Sequence, residues 1–222
     1  SEITNHAHRS LMKFISATSI GSSGDSEMYE FQLVNHFTGL CQSCGVDQQS
    51  YLPIVASGEN TVVLHYTERY SKASRGDLVL IDAGGSLLGY TTDVTRTYPF
   101  HSPFNQHQKS LYNAVLTVQR KALNLIKESA NFTTIQQLAS HYLIEQLQEL
   151  NVVVNGSVSV EELYQLKIHR VFMPHGLGHL IGLDVHDTTT YPSTVLKRNM
   201  VISVEPGIYF DEHEFVKLSN AQ

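Results

Sequence analysis

Four acidic or imidazole side chains stand at the ends of short apolar segments, and their types suit metal binding. Asp82 closes the apolar segment 78–81, and Asp93 follows it in a stretch rich in threonine and tyrosine. His179 lies in a glycine-containing segment, and Glu205 ends the mostly apolar segment 201–204. A carboxylate at the end of a buried strand is costly unless it is paired, hydrogen-bonded or bound to a cation. Two carboxylates on neighbouring strands repel each other unless a shared cation neutralises them.

The four side chains together make a donor set of three carboxylates and one imidazole, which suits manganese, iron, cobalt or zinc. A carboxylate-rich set can hold two ions, which polarise a carbonyl and lower the pKa of bound water. Each residue alone has a simpler interpretation. Asp82 before a Gly-Gly turn is ordinary turn chemistry, and Asp93 could lie on a solvated strand face. His179 could be a surface imidazole, and Glu205 could merely begin a turn, so the metal hypothesis depends on all four.

The composition narrows the class of protein. The 222 residues are 41% hydrophobic and 16% charged, which is typical of a globular protein rather than a disordered one. A formal charge of -6 without any basic block argues against nucleic acid or an anionic membrane as the main partner. The sequence has no apolar run near the roughly 20 residues that cross a bilayer. The first residues do not resemble a secretory signal, so we expect a cytoplasmic protein.

The sequence predicts four helices. They are a helix over residues 1–20, a second that starts near residues 25–26, a third over 106–127 and a fourth that ends near Leu150. Serine, threonine and aspartate are preferred at the starts of helices, so we expect residues 25–26 and 133–134 to cap the second and fourth of these. Cys41 and Cys44 form a lone CxxC, which we interpret as two thiols at a helix end.

Short segments rich in β-branched residues predict strands between and after these helices. They cover residues 52–56, 62–64, 78–81 and 90–98, the last returning as a hairpin on the third, and the chain from 171 onwards again reads as strand. This order predicts an α+β fold, with a mostly antiparallel sheet covered by helices in a single domain. The glycines beside Asp82 and His179 are expected to provide room for the backbone near the metal ions.

Five motifs in this order carry a resemblance to a known family. They are Leu64-His65-Tyr66, Leu80-Ile81-Asp82-Ala83-Gly84, Thr92-Asp93-Val94-Thr95-Arg96-Thr97, His175-Gly176-Leu177-Gly178-His179-Leu180-Ile181-Gly182-Leu183-Asp184-Val185-His186-Asp187 and Val204-Glu205-Pro206-Gly207-Ile208-Tyr209. The chain resembles the catalytic domain of the Xaa-Pro dipeptidase (prolidase) and aminopeptidase P group of pita-bread metallopeptidases. The match runs from the first helix to about Tyr209, and the residues around His175 favour prolidase.

The resemblance implies a pita-bread (creatinase/aminopeptidase-like) fold, in which a curved and mostly antiparallel sheet is covered by helices. It implies that residues 1–222 form one catalytic domain, without the family's N-terminal domain and final strand. The metal-ligand positions fall on Asp82, Asp93, His179 and Glu205. They would hold two divalent ions, with manganese expected first and zinc, cobalt or iron as alternatives.

The same resemblance implies hydrolysis of the peptide bond before proline in a short peptide with a free N-terminus. His65, His175 and His186 match histidines that line the substrate cleft. Glu205 would accept a proton from the attacking water, while His175 and His186 would stabilise the oxyanion or hydrogen-bond the substrate. The expected partner is a small peptide with proline at its second position, and a homodimer is left open.

One family position differs in this chain. Ser219 stands where the family pattern has a bridging glutamate, and a hydroxyl cannot bridge two divalent ions as a carboxylate does. The sequence therefore leaves alternatives to a prolidase-like dipeptidase. One is aminopeptidase P-type activity on longer Xaa-Pro peptides, and another is methionine aminopeptidase activity. A third is a catalytically impaired module of the same fold that binds peptides or proteins.

Overall fold

The computed structural model describes residues 1–18, 27–153, 157–188 and 194–212. Contacts divide the chain into two compact units. The first unit comprises Ser1–Phe104 together with Ile181–Thr188, and the second comprises Asn105–Leu180 together with Thr189–Gln222. Each is described separately below, and the single catalytic domain over 1–222 stays a prediction. None of the helices in these ranges is long and apolar enough to span a membrane.

The described residues of the first unit form two helices, one 3-10 helix and seven short strands. In chain order they are α1 (Glu2–Thr18), β1 (Met28–Tyr29), α2 (Glu30–Ser43), β2 (Gln48–Gln49), β3 (Ile54–Ser57), the 3-10 helix (Gly58–Val62), β4 (Lys72–Ala73), β5 (Leu78–Asp82), β6 (Gly85–Ser86) and β7 (Thr95–Pro99). All pairings are antiparallel: β1 with β4, β2 with β6, and a three-stranded sheet in the order β3-β5-β7. The mixed α+β character agrees with the sequence.

The two helices of this unit pack on the three-stranded sheet through apolar side chains. Ala7, Leu11 and Ile15 follow one another at helical spacing on α1 and are buried, as the periodicity predicts. They share a core with Phe37 of α2 and Ile81 of β5. Removing this apolar surface from water is the main force that holds the helices to the sheet.

The second helix begins later than predicted. Residues 25–26 lie outside the described residues, and α2 starts at Glu30 because Met28 and Tyr29 first pair with β4 as a strand. The backbone N–H of Tyr29 donates to the side-chain oxygen of Gln32, 2.8 Å away, which satisfies a donor at the helix start. Cys44 ends this helix, as expected for the CxxC pair.

The predicted antiparallel pairing of β5 with β7 is confirmed, whereas the strand predicted at residues 62–64 does not form. Asp82 lies opposite Thr95 and Leu78 opposite Pro99, so the chain does return as an antiparallel partner. The predicted strand over 62–64 is wrong, because the chain turns at Gly58, whose φ of 55° favours glycine, into the 3-10 helix. The Thr61 hydroxyl donates to the Gly58 carbonyl at 2.7 Å and supports that turn.

A buried carboxylate anchors the loop that leads to His65. Glu30 is fully buried, and its Oε1 accepts hydrogen bonds from the backbone N–H and the hydroxyl of Ser57, both at 2.8 Å. The Asn60 amide donates to the same oxygen at 3.1 Å and to the Tyr66 hydroxyl at 3.0 Å. A buried charge needs such donors to offset its lost hydration. The loop therefore has a fixed base directly beside His65.

In the part of the second unit that the structure describes there are four helices: α3 (Gln106–Leu123), α4 (Phe132–Glu149), α5 (Val160–Gln165) and α6 (Ile168–Phe172). Val118 of α3, Leu143 of α4 and Phe172 of α6 belong to one buried apolar cluster. Asn131 caps α4 through its side-chain oxygen, which accepts from the Thr134 N–H at 3.1 Å. The predicted cap at residues 133–134 is therefore wrong, because these residues already lie inside the helix.

The chain after residue 172 forms less strand than predicted. Within the described residues of this part, pairing is limited to single bridges such as Leu180 with Ile202. Glycine and proline are depleted in strands, and Gly176, Gly178 and Pro206 interrupt this stretch. The result is a pair of extended segments joined by a few backbone hydrogen bonds, among them Ser203 N–H to the His179 carbonyl at 2.8 Å.

The buried histidine of α1 predicts an acid-sensitive fold. His8 is 2% exposed, and burial lowers its pKa from 6.5 to about 4. The unfolded chain takes up this proton near pH 6.5, whereas the folded chain resists it down to about pH 4. A contribution of about 3 kcal/mol to the free energy of unfolding is thus present above pH 6.5 and lost as the pH falls towards 4.

Urea unfolding at pH 7.0 and pH 4.5 measures this difference. Replacing His8 with leucine should remove that part of the pH dependence. The matched variant His6→Leu changes an exposed histidine on the same helix and should keep it. An equal pH dependence in all three proteins would contradict the role of His8.

Candidate metal centre

In the first unit, Asp82 and Asp93 converge on one phenol. Asp82 is the last residue of β5, and both carboxylates are half-buried. The Tyr51 hydroxyl contacts Asp93 Oδ1 at 2.8 Å and also contacts Asp82 Oδ1. The structure thus brings together two of the residues that the sequence singles out. It adds Tyr51, which sequence reasoning missed because a lone tyrosine before a strand has no distinguishing pattern.

The geometry around Tyr51 fits a cation. A phenol has one proton, so it can donate fully to only one carboxylate at a time. Burial, followed by the charges of Asp82 and Asp93, raises the pKa of Tyr51 far above its usual range, so the hydroxyl stays protonated. A divalent cation held by both carboxylates would relieve the repulsion that remains between them.

In the second unit, His179 and Glu205 form the other pair. The extended segments place His179 Nε2 3.2 Å from Glu205 Oε1. The Ser203 hydroxyl donates to the same carboxylate oxygen at 2.6 Å and accepts from the backbone N–H of His179 at 2.9 Å. Ser203, which carries no signal in the sequence, therefore orients both members of the pair.

The proton positions on His179 also suit a metal ligand. Its Nδ1 lies 3.0 Å from the carbonyl oxygen of Leu180, which can only accept, so Nδ1 carries a hydrogen. The other ring nitrogen then faces the Glu205 carboxylate, another acceptor. Such a contact needs either a proton on Nε2 or a cation shared by the two groups. A backbone carbonyl on the far nitrogen is the usual way in which a metal-binding histidine is oriented.

The three histidines that the resemblance assigns to the substrate cleft have different surroundings. His65 and His186 are exposed in the first unit, and ligand atoms of His186 and Asp93 lie within 4.8 Å of each other. His175 is half-buried in the second unit, with Nδ1 2.8 Å from the Gly176 carbonyl and its ring edge-on to Tyr209 at 5.4 Å. His175 Nε2 is buried and has no hydrogen-bond partner among the described residues.

Two glycines allow close backbone approaches beside these pairs. A Cβ on Gly84 would lie 1.7 Å from the Thr92 carbonyl oxygen, next to Asp93. A Cβ on Gly178 would lie 2.1 Å from the Ser203 carbonyl oxygen. Any larger residue would push apart the segments that carry each pair, which agrees with the room that the sequence predicts at these glycines.

Ser219 and Cys41 are two further positions that the sequence singles out. Ser219, which stands where a bridging glutamate is expected, lies outside the described residues. Cys41 is buried, and burial raises the pKa of its thiol to about 11, so it stays protonated at neutral pH. A protonated thiol is a poor nucleophile and metal ligand.

Comparison with known proteins links the chain to one group of enzymes. The family model of metallopeptidase family M24 matches residues 1–221. The human Xaa-Pro dipeptidase is 35% identical over 96% of this chain and 45% of the relative. The Escherichia coli Xaa-Pro aminopeptidase is 37% identical over 82% of this chain and 41% of the relative. The chain thus spans less than half the length of these curated relatives.

Solved structures show the same likeness in three dimensions. A variant of Escherichia coli aminopeptidase P superposes with a TM-score of 0.82 at 35% identity, over 95% of this chain and 46% of that one. The Pseudomonas aeruginosa aminopeptidase PepP gives a TM-score of 0.84 at 30% identity, over 95% and 46%. These values confirm the predicted α+β fold of the pita-bread type.

Proposed function

The chain belongs to metallopeptidase family M24, and we propose that it hydrolyses the peptide bond preceding proline in short peptides. The relatives named Xaa-Pro dipeptidase and Xaa-Pro aminopeptidase support this class of substrate. The observation that carries the proposal is the pair of carboxylates, Asp82 and Asp93, that converges on a single phenol at the end of β5. Such a pair is unfavourable for stability alone and favourable for holding a cation.

Asp82, Asp93, His179 and Glu205 are the proposed metal ligands. Carboxylate oxygens with one imidazole suit two divalent ions, and manganese is expected first because an oxygen-rich ligand set suits a hard ion. Zinc, cobalt and iron are the alternatives, and one similar structure is described as a zinc-substituted Escherichia coli aminopeptidase P in complex with product. Bound divalent ions supply Lewis-acid polarisation of the scissile carbonyl and a lowered pKa for water.

The protein's own side chains position the substrate and move protons. Glu205 accepts the proton of the attacking water, and the Ser203 hydroxyl at 2.6 Å keeps its carboxylate oriented for this. The Gly176 carbonyl binds Nδ1 of His175, so Nε2 is the atom that can donate to the developing oxyanion when protonated. His186 supports the same charge, and His65 contacts the peptide from the loop that Glu30 anchors. Each well-aimed donor contributes about 3 kcal/mol.

The proposed substrate is first a dipeptide with proline at its second position. Activity on longer Xaa-Pro peptides is the second candidate, and the likeness to aminopeptidase P structures favours it. Ser219 favours a third candidate, a peptide- or protein-binding module with weakened metal binding. A cytoplasmic location and a homodimer stay predictions.

Turnover of defined peptides tests the proposal. The purified chain is incubated with Mn²⁺ and Gly-Pro, with Gly-Pro-Gly as the longer substrate and Gly-Ala as the control without proline. We expect release of free proline from Gly-Pro, and bound metal by elemental analysis. Cleavage of the tripeptide alone would favour the aminopeptidase P-type activity. Neither metal nor turnover would overturn the peptidase proposal in favour of the binding module.

A further inference from the structure

The core-facing side of α1 contains two polar residues where apolar ones would be expected. Thr4 and His8 are one helical turn apart and are each 2% exposed. They lie on the same face as the buried Ala7 and Leu11. Buried polar side chains reduce stability unless they have hydrogen-bond partners. The partners of Thr4 and His8 therefore indicate why the two polar residues are there.

Thr4 closes a ring of three hydrogen bonds with the chain around the aspartates. The Gly85 N–H donates to Thr4 Oγ1 at 3.4 Å, and the Thr92 hydroxyl donates to the Gly85 carbonyl at 2.8 Å. Thr4 Oγ1 lies 2.8 Å from Thr92 Oγ1. Because the Thr92 proton is already used, the Thr4 hydroxyl is the donor in this third bond. Every donor in the ring is used once, and hydrogen bonds in such a chain strengthen one another.

His8 holds the other end of the same region. Its Nε2 lies 3.3 Å from the carbonyl oxygen of Ala83, which accepts the imidazole hydrogen. The ring is fixed edge-on against Phe37 of α2, with centroids 4.8 Å apart. The Tyr98 hydroxyl lies 3.4 Å from the His8 backbone carbonyl and donates to it. His8 is thus held on three sides, with its donor directed at the chain after β5.

These contacts fall at the place where strand pairing stops. The last β5–β7 pair is Asp82 with Thr95, and one further backbone bond joins Ala83 N–H to the Val94 carbonyl at 3.2 Å. Beyond it, Gly84 and Thr92 lie too close for a side chain between them. Ala83 follows Asp82 and Thr92 precedes Asp93, so the bond from His8 to Ala83 and the bond from Thr4 to Thr92 each fall one residue from a proposed ligand.

We propose that Thr4 and His8 are positioning residues, which hold the backbones of Asp82 and Asp93 at the separation that binds a divalent cation. The inference rests on the proposed function, since it takes the two aspartates as ligands. Residues that orient metal ligands from behind typically change metal affinity by about 10–100-fold when they are replaced. On this basis α1 is part of the metal site, although neither residue touches the cation.

Calorimetric titration of Mn²⁺ into the metal-stripped full chain tests this inference without any substrate. Thr4→Val keeps the shape of the side chain and removes the ring of hydrogen bonds, and we expect a 10–100-fold higher Kd for Mn²⁺. Thr4→Ser keeps the hydroxyl and should retain the affinity. The matched control is Thr133→Val, which makes the same change at an exposed helical position, in α4, and should leave the Kd unchanged.

A double variant separates positioning from general loosening of the fold. If Thr4 acts through Asp93, adding Thr4→Val to Asp93→Asn should raise the Kd no further. A change that only loosens the fold would add its full effect in both backgrounds. His8→Leu should weaken Mn²⁺ binding in the same direction as Thr4→Val. Should Thr4→Val fail to fold, judged by circular dichroism, Thr92→Val opens the same ring from its other side.

Two results would overturn the inference, and they differ in what they say about the proposed function. Tight Mn²⁺ binding by the natural chain, with the same Kd for Thr4→Val, would remove the positioning role and leave the metallopeptidase proposal intact. Failure of the natural chain to bind Mn²⁺ or any other divalent ion would overturn both.

Discussion

Gly178→Ala is expected to lower the rate of Gly-Pro hydrolysis by at least about 100-fold. The added Cβ would lie 2.1 Å from the Ser203 carbonyl oxygen, and backbone atoms cannot yield as a flexible side chain can. The two segments that carry His179 and Glu205 must then move apart. A displacement of about 1 Å in a catalytic arrangement can cost about 10²-fold in rate. Overpacking of this kind also lowers stability, by about 1–3 kcal/mol or more.

The helix α2 offers a matched control for this change. Gly39 has open space around its Cβ position, so Gly39→Ala should be accommodated and should stabilise the helix by up to about 1 kcal/mol. Steady-state rates with Gly-Pro and urea unfolding of both variants measure the two effects. If Gly178→Ala keeps a rate within twofold of the natural chain, the close approach of His179 and Glu205 is not needed for catalysis.

Asp82→Asn is expected to lower kcat/KM for Gly-Pro by about 10³-fold. The amide keeps the size of the side chain but loses the negative charge that we propose binds a divalent ion. Lewis-acid activation lowers the activation free energy by several kcal/mol. Each loss of about 1.36 kcal/mol of this stabilisation lowers the rate tenfold. The affinity for Mn²⁺ should fall in parallel. Asp77→Asn is the matched control, because that carboxylate caps a turn by accepting from the Ser74 N–H at 2.8 Å.

In the metal-free protein, by contrast, we expect Asp82→Asn to be favourable and to stabilise the fold. Asp82 and Asp93 share one phenol proton, so their mutual repulsion lowers the stability of the folded chain when no cation is present. Asp82→Asn removes that repulsion and should raise the free energy of unfolding measured in EDTA. A carboxylate with only a structural role would show the reverse, a loss of stability on substitution in EDTA. That outcome would exclude Asp82 as a metal ligand.

The parts of the fold that could be predicted are those in which a local pattern decides the structure. The apolar stripe Ala7-Leu11-Ile15 identifies α1, and two β-branched segments identify β5 and β7, because burial of one face imposes a period on each. The prediction of strand over 62–64 is wrong because Gly58, outside that segment, turns the chain first. The cap at Asn131 was missed because several polar residues there compete for the same role.

Some residues of the candidate site could likewise be predicted from the sequence, and others could not. Asp82 and Glu205 could be selected because a carboxylate that ends an apolar segment stands out from its neighbours. Tyr51 and Ser203 could not, since a tyrosine or serine beside a strand is ordinary, and their importance comes only from what lies across the fold. Thr4 is a clearer case, because its partners Gly85 and Thr92 are far away in sequence.

The discontinuity of the first unit has a consequence for biosynthesis. Its segment Ile181–Thr188 follows Asn105–Leu180, which belongs to the second unit. On the ribosome, the hydrogen bond from the Thr91 N–H to the Gly182 carbonyl, 2.9 Å long, can form only after translation has passed that long interval. Nascent chains fold N-terminal regions first, and contacts between distant residues slow folding. The nascent first unit therefore stays incomplete until the segment that carries His186 has been synthesised, late in translation.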